Sequence, residues 1–402
     1  MKVDNGQDGL AAVSFNDDLS CFVCATDRGF GVYSTMPFHR FSWRSFEGGG
    51  FSCAEMFGQT NVLALVGGRP SPAGFSASSV VLWDDMTGTR LFHIQLPSPI
   101  NAIYCRIDTL SVLLDGKLVL YRISPDFSSV QYEQTIDTLV NPDGVCAISP
   151  KGEPVVACPG PSLGSIWVVE RRGEAAAGRG RWGTKLIDPA HHKQVSCLAF
   201  NRDGSLLASA SKKGTLVRVW ATSQTHAPML LKELRRGTLD ADILSLSFCA
   251  KSELVSCASD SGTMHLFAIN DSGDEAPASS YGFAAHLLSK VQAGQRGFAR
   301  LDVGTQGKAL VGGLRTVLGE GGAGAASVVV LVATAQGYLH CYSTSNSRED
   351  AEEDRLKLQA RNYFVVTADE VLEHGEGLSD SDSEDSDHQP QPRPAKDPIA
   401  EQ

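Results

Sequence analysis

Apolar residues along most of this chain alternate with polar ones at a period of two, in short runs broken by glycine-bearing turns. The stretch 195–220 shows the pattern clearly. Val195–Phe200 alternates, Asn201-Arg202-Asp203-Gly204 breaks it, Leu206–Ser211 alternates again, Lys213-Gly214 breaks it, and 215–220 completes a third run. Asp-Gly and Lys-Gly turns between such runs predict strands joined by tight hairpins rather than helices.

The hairpins recur. Windows 15–29, 200–214 and 248–262 each open on phenylalanine and close on glycine fourteen steps later. Each carries alanine at the tenth step (Ala25, Ala210, Ala258) and a small hydroxyl residue at the eleventh (Thr26, Ser211, Ser259). A fourth window, 332–338, repeats the alanine-to-glycine half. The last two complete windows begin 48 residues apart, a spacing typical of propeller blades. Further candidate blades cover about 51–84, which holds the only Trp-Asp dipeptide (Trp83-Asp84), 100–123 and 144–170. The expected fold is all-β, a seven-bladed WD40-like β-propeller over residues 8–372.

Three segments interrupt the repeat. Residues 171–183 are basic and Gly/Ala-rich, which predicts a mobile basic loop. Residues 270–300 break the pattern before the last blade, pairing a polar start with an apolar middle. Residues 373–402 include Ser379-Asp380-Ser381-Asp382-Ser383-Glu384-Asp385 and cannot bury a core, so a disordered acidic tail is expected there. Its serines suit an acidophilic kinase, or the tail simply solubilises the chain.

Composition narrows the class. The net charge of −11 is concentrated in that tail, leaving a mildly acidic body that speaks against general nucleic-acid binding but leaves room for a local basic patch. No run of 18 or more apolar residues occurs, and Met1-Lys2-Val3-Asp4-Asn5 lacks a signal-type apolar segment, so a soluble, non-secreted protein is expected. The ten cysteines are scattered through the alternating runs, and the close pair Cys21 and Cys24 faces opposite sides of a strand. They read as buried thiols, not as a metal site. His191 and His192 precede a strand and read as structural or exposed residues. Gly160-Pro161-Ser162-Leu163-Gly164 matches the letters of a nucleophile elbow, but a strand-like run follows the serine where that chemistry needs a helix. Walker, dinucleotide and metal motifs are lacking, so the chain reads as a non-enzyme without cofactor or metal.

The candidate chemistry lies at Leu234-Arg235-Arg236-Gly237, between two repeats. In extended backbone successive side chains point to opposite faces, so adjacent arginines can each close a different pocket. Two guanidinium forks placed this way suit a surface carrying many phosphates. Arg171-Arg172-Gly173 repeats the letters, but Glu170 and Glu174 flank it and no hydroxyl frame follows, so it reads as a solvated turn.

The run 206–219, the motif 234–238 and the run 257–267 together resemble the PROPPINs, or WIPI proteins, seven-bladed phosphoinositide-binding propellers of autophagy. Phe15-Asn16-Asp17-Asp18-Leu19-Ser20-Cys21-Phe22, 63–68 and 141–146 add to the likeness, which spans about residues 8 to 370 and points to a subgroup with a Leu-Arg-Arg-Gly motif. The resemblance implies a first lipid pocket from Ser209, Ser211, Gly214, Thr215, Arg218 and Arg235. It implies a second from Arg236, Gly237, Ser259, Thr263 and His265. The residues suit these roles: Ser209 and Ser211, two apart, share a strand face, and a glycine at 214 lets backbone approach a phosphate.

The implied ligands are phosphatidylinositol 3-phosphate and phosphatidylinositol 3,5-bisphosphate on membranes, with two weak pockets acting by avidity. In the segment before the last blade, Phe283, Leu287 and Val291 recur every four residues near Tyr281 and Leu288, as an apolar face for a membrane-facing loop; packing on the propeller body is the other reading of that run. The resemblance further implies recruitment of an autophagy lipid-transfer partner through Asn16 and Asp18. It implies a monomer that is cytoplasmic and peripheral on preautophagosomal, endosomal or vacuolar/lysosomal membranes. The competing reading is a WD40 scaffold acting only through protein–protein contacts.

Overall fold

In a computed structural model the alternating runs form seven sheets, each of four antiparallel strands. The structure describes residues 9–174, 180–222, 226–269, 299–302, 309–317, 327–344 and 356–363. Blade 1 covers 10–45, blade 2 51–95, blade 3 102–137, blade 4 147–187, blade 5 195–235, blade 6 243–302 and blade 7 309–363. Within every sheet the strands pair in chain order. The first strands of successive blades neighbour one another around the ring, and β25 (Ala309–Val317) returns to β1 (Leu10–Phe15). The expected seven-bladed propeller is the observed fold.

Period-two alternation gives each sheet two faces, and both are buried because each blade is sandwiched between neighbours. One apolar cluster fills each of the seven seams. Between blades 5 and 6, for example, Ala208, Ala210, Val217 and Val219 pack on Val255, Cys257 and Phe267. The ring closes without an exchanged strand: Leu10, Val13, Phe22 and Tyr33 of blade 1 meet Val329, Leu331, Leu339 and Cys341 of blade 7. Eight of the ten cysteines are buried in these runs and two are half-buried, all as free thiols.

Asparagines organise the turn between the first two strands of several blades. Asn201 Oδ1 accepts the Leu206 amide at 2.9 Å, and Asp203 accepts the Ser205 amide at 3.0 Å. Asn16 and Asp18 repeat this in blade 1, accepting the amides of Cys21 and Ser20 at 2.9 and 3.0 Å. The third residue after the asparagine takes a left-handed conformation, Gly204 at φ 75° and Leu19 at φ 60°. Leu19 accepts this strained backbone while its side chain lies against Gly313 of blade 7, where any Cβ would collide with it.

The structure corrects the mobile basic loop expected at 171–183. Strands β15 (Ile166–Glu174) and β16 (Gly180–Ile187) run through most of that segment, and 175–179 lie outside the described residues. Arg171 is not a solvated turn residue either. Its guanidinium is buried between blades 3 and 4, 3.2 Å from Asp108 and 3.1 Å from Glu133, and lies over the Trp182 ring. Arg122 and Trp182 Nε1 also donate to Glu133, each at 2.7 Å. A basic, glycine-rich string can thus be a strand when acids from the adjoining blade neutralise it. The candidate tail at 373–402 and the candidate membrane loop with Tyr281, Phe283, Leu287 and Leu288 lie outside the described residues.

Candidate functional site

The fourth strand of blade 5, β20 (Met229–Arg235), ends on the first arginine of the pair. It lies against β19 (Leu216–Ala221), with Leu216 opposite Arg235 and Arg218 opposite Glu233. Residues directly opposite share a face, so Arg235, Glu233, Leu216 and Arg218 form one group. That face looks toward blade 4, since Trp220 in the same row packs there. Arg235 is exposed and has no side-chain partner among the described residues. Arg218 is engaged: Nε and Nη2 lie 2.9 and 2.7 Å from one Glu233 oxygen, and Nη1 donates to the Ala190 carbonyl at 2.6 Å.

Arg236 leaves on the other side. Its Nε donates to the Gly214 carbonyl at 2.6 Å, and Nη2 donates to the Leu239 carbonyl. Leu234, two residues earlier and on the same side of the extended chain, packs in the seam with blade 6. The backbone alternation therefore separates the two guanidinium groups, one toward the seam with blade 4 and one toward the seam with blade 6.

Blade 6 supplies a small hydroxyl cluster. Ser259 Oγ lies 2.8 Å from Ser261 Oγ and 3.1 Å from Thr263 Oγ1, and Ser261 and Thr263 are 2.9 Å apart. His265 follows in the same row of β23 (Thr263–Ala268), stacked on Phe267. A side chain at Gly237 would meet open space.

Two candidates of the first pocket have structural duties instead of the ones their chemistry suggested. Ser209 is fully buried, and its Oγ receives the Trp220 indole proton at 2.9 Å and lies 2.8 Å from His191 Nε2. Burial, then the charges of Arg218 and His192, push the His191 pKa down to about 4, so the ring that pairs with Ser209 is neutral. This chain pins Trp220 in the seam between blades 4 and 5, and it is a signal that sequence reading left as three unrelated residues. Gly214 has φ 63°, and a Cβ there would fall on the Ala241 carbonyl oxygen. Its glycine is required by the turn and by that close approach, whatever ligand binds. Ser211 and Thr215 are also buried, at 7% and 8% exposure, at the rim of the same turn.

Asn16 needs a similar correction as a partner-surface residue. It is 5% exposed and both ends of its amide are used inside the turn, with Nδ2 donating to Ser20 at 3.0 Å. Asp18 is exposed, although Gln59 Nε2 from blade 2 donates to it at 2.8 Å.

Strand pairing also revises the alignment of the repeats. In blade 5 the pair Ala210–Val217 closes the hairpin, in blade 6 Ala258–Met264 and in blade 7 Ala333–Leu339. Blade 5 thus carries one extra turn residue. The structural counterpart of Arg218 is His265, facing Cys257 as Arg218 faces Ser209. The letters had aligned Val217 with His265. Glu233, which occupies the key arginine, was missed at the sequence level because the outer strand lacks a strong apolar alternation.

Comparison with known proteins agrees with this architecture. The PROPPIN family model matches residues 53–298. Autophagy-related protein 18e of Arabidopsis thaliana is 31% identical over 308 residues, covering 75% of this chain and 78% of that protein. SVP1-like protein 2 of Neurospora crassa is 32% identical over 281 residues, covering 70% of this chain and 61% of that relative. Among solved structures, Hsv2 of Kluyveromyces lactis superposes with a TM-score of 0.67 at 18% identity, covering 90% of this chain and 100% of that one. The complex of KlAtg21 with the coiled coil of AgAtg16 gives 0.66 at 19% identity, covering 89% and 99%. Fold, repeat frame and matched family model converge: this chain is an autophagy-related β-propeller and belongs to the PROPPIN family.

Proposed function

We propose that the protein is a non-enzymatic effector that docks on membranes carrying phosphatidylinositol 3-phosphate or phosphatidylinositol 3,5-bisphosphate. One pocket lies over the seam of blades 4 and 5, where Arg218 and Arg235 meet the turn of Ser211, Gly214 and Thr215; Ser209 supports it from below through Trp220. The other lies over the seam of blades 5 and 6, where Arg236 and Gly237 meet Ser259, Thr263 and His265. The observation that carries the reading is the divergence of Arg235 and Arg236 from one strand end toward two adjacent seams. Two phosphate grips on one rigid edge bind a membrane by effective concentration, so neither has to be tight. The residues Tyr281, Phe283, Leu287 and Leu288 would add apolar contact with the lipid interface.

Docked in this way, the propeller recruits autophagy machinery, including a lipid-transfer partner, during autophagosome formation at preautophagosomal, endosomal or vacuolar/lysosomal membranes. Asp18 is the exposed residue of the proposed partner surface. The protein acts as a monomer. Vesicle sedimentation across a phosphoinositide panel tests the lipid reading. Arg235→Thr with Arg236→Thr abolishes pelleting with 3-phosphorylated inositides while circular dichroism stays that of a folded propeller at the assay temperature; normal pelleting of the double variant would overturn the assignment. A second reading, a scaffold acting through protein contacts alone, draws support from the related propeller solved with a coiled-coil partner. It predicts coiled-coil binding that is indifferent to both arginines.

A further inference from the structure

Blade 7 repeats the rim chemistry of blades 5 and 6 one seam further round. By strand pairing, the position held by Arg218 in blade 5 and His265 in blade 6 is held by His340 in blade 7, which faces Val332. Blade 1 has Gly31 at the matching place, opposite Cys24. The third strand of blade 7, β27 (Tyr338–Thr344), carries Tyr338, His340 and Tyr342 in one row, as blade 6 carries Thr263, His265 and Phe267. Tyr342 of that row packs into the seam with blade 6. The hairpin before the row has the same build as its counterparts. Gly337, at φ 79°, donates to the Thr334 carbonyl at 3.0 Å, as Gly262 donates to Ser259 at 3.1 Å and Gly214 to Ser211 at 2.7 Å.

A cation stands beside this row. Arg361 of β28 (Leu356–Tyr363) lies opposite His340, just as Arg300 lies opposite His265. Its guanidinium carbon sits 3.9 Å above the Tyr338 ring, the side chain is exposed, and it has no carboxylate partner among the described residues. In blade 5 the same ladder position pairs Arg218 with Glu233, so there the cation is already neutralised. In blade 7 the ladder position of that acid is held by Arg361 itself.

His340 is 8% exposed, its Nδ1 is 3.1 Å from the Tyr342 hydroxyl, and its Nε2 has no hydrogen-bond partner among the described residues. A buried ring nitrogen without a partner is unfavourable, and an orphan of this kind marks a place for a missing acceptor or donor. With the tyrosine hydroxyl donating to Nδ1, the proton resides on Nε2 and points the ring as a donor. Burial, then the Arg361 charge, lowers the His340 pKa, so the ring is neutral until an anion arrives.

We propose that Thr334, Tyr338, His340 and Arg361 form a third anion pocket, for a phosphate monoester, at the seam of blades 6 and 7. The His340 Nε2 proton and the Arg361 fork supply the donors, and the Tyr338 ring fixes the guanidinium plane. The proposal goes beyond the two-pocket reading and stands on different residues. A membrane inositide headgroup and a soluble phosphate share the required chemistry.

The test uses the full chain carrying Arg235→Thr and Arg236→Thr, titrated calorimetrically with soluble inositol 1,3-bisphosphate and with inorganic phosphate. One saturable site should remain, adding Arg361→Ala should weaken it at least tenfold, and the His340 ring resonances should show a pKa raised by the ligand. Arg361 is exposed, so its removal leaves the fold in place, and if Arg361 were only a structural stack on Tyr338, adding the ligand would not move the histidine titration. If the wild type binds the headgroup and the double-arginine variant binds neither probe, the third pocket is overturned while the two-pocket reading stands. A residual site indifferent to Arg361→Ala overturns it as well, and a wild type that binds neither probe sinks both. Vesicles containing phosphatidylinositol 3-phosphate separate the sources: reduced pelleting of Arg361→Ala assigns a lipid headgroup, and unchanged pelleting with lost soluble binding assigns a free phosphate.

Discussion

Arg218 and Glu233 face each other across two strands of blade 5, two guanidinium nitrogens closing on a single carboxylate oxygen at 2.7 and 2.9 Å. The pair is partly exposed, with side chains 17% and 34% accessible. Any phosphate that uses Arg218 competes with this acid. Glu233→Gln keeps the shape and removes the competing charge, so it should tighten vesicle binding about three- to tenfold, equivalent to roughly 1 kcal/mol. Unchanged or weaker binding in a lipid-dilution series would place Arg218 outside the pocket.

The two neighbouring arginines should separate in stability assays. Arg235 touches no described side chain, so Arg235→Ala should leave the urea midpoint unchanged. Arg236 ties the Gly214 and Leu239 carbonyls, and Arg236→Ala should cost about 1–3 kcal/mol. Equal midpoints for the two variants would contradict this bonding.

Asn16 and Asp18 should behave differently although they share one turn. Asn16→Ala removes the acceptor for the Cys21 amide and should lower stability by roughly 1–3 kcal/mol, so a loss of partner binding by that variant is ambiguous. Asp18→Ala changes exposed contacts and should leave melting within about 1 kcal/mol of wild type. Pull-down of an autophagy lipid-transfer partner with Asp18→Ala alone is the clean probe of that surface.

His191 makes stability depend on pH in a stated direction. Its folded pKa is about 4, against an ordinary value of about 6.5. Between these values the unfolded chain binds the extra proton. The stabilisation is therefore complete above about pH 6.5 and is lost as pH falls toward 4, by an amount on the order of 3 kcal/mol. His191→Gln should flatten the slope of melting temperature between pH 7 and 5; an identical slope would rule out a neutral buried ring.

Arg171 lies in a buried network, with side-chain exposures of 9% for itself and 3% for Glu133. Arg171→Ala leaves that carboxylate short of a partner and should cost about 3–5 kcal/mol in urea unfolding. A change below about 1 kcal/mol would mean that Arg122 alone suffices.

The inner part of each blade was legible in the letters because alternation is strong where both faces are buried, as in Leu206–Ser211. The outer strands were not. Strand β20 exposes Met229, Leu230 and Leu231 while half-burying Lys232 and Glu233, a pattern with no clean period. The segment 171–183 failed for the same reason: its basic composition describes a loop unless Asp108 and Glu133, distant in sequence, are known to face it. At the candidate site the split of Arg235 and Arg236 follows from backbone alternation alone. The bonds that occupy Ser209 depend on Trp220 and His191 brought near by folding, those of Asn16 on the shape of its own turn, and the extra turn residue of blade 5 becomes visible only in the ladder.

Among the described residues, the seam between the last blade and the first is sealed by side chains, with no shared ladder. Parting it costs apolar contact but breaks no backbone hydrogen bond between strands. The molecule can therefore breathe at one joint while all seven sheets keep their amides protected, and thiol labelling at Cys24 or Cys341 would report an event to which hydrogen exchange stays blind.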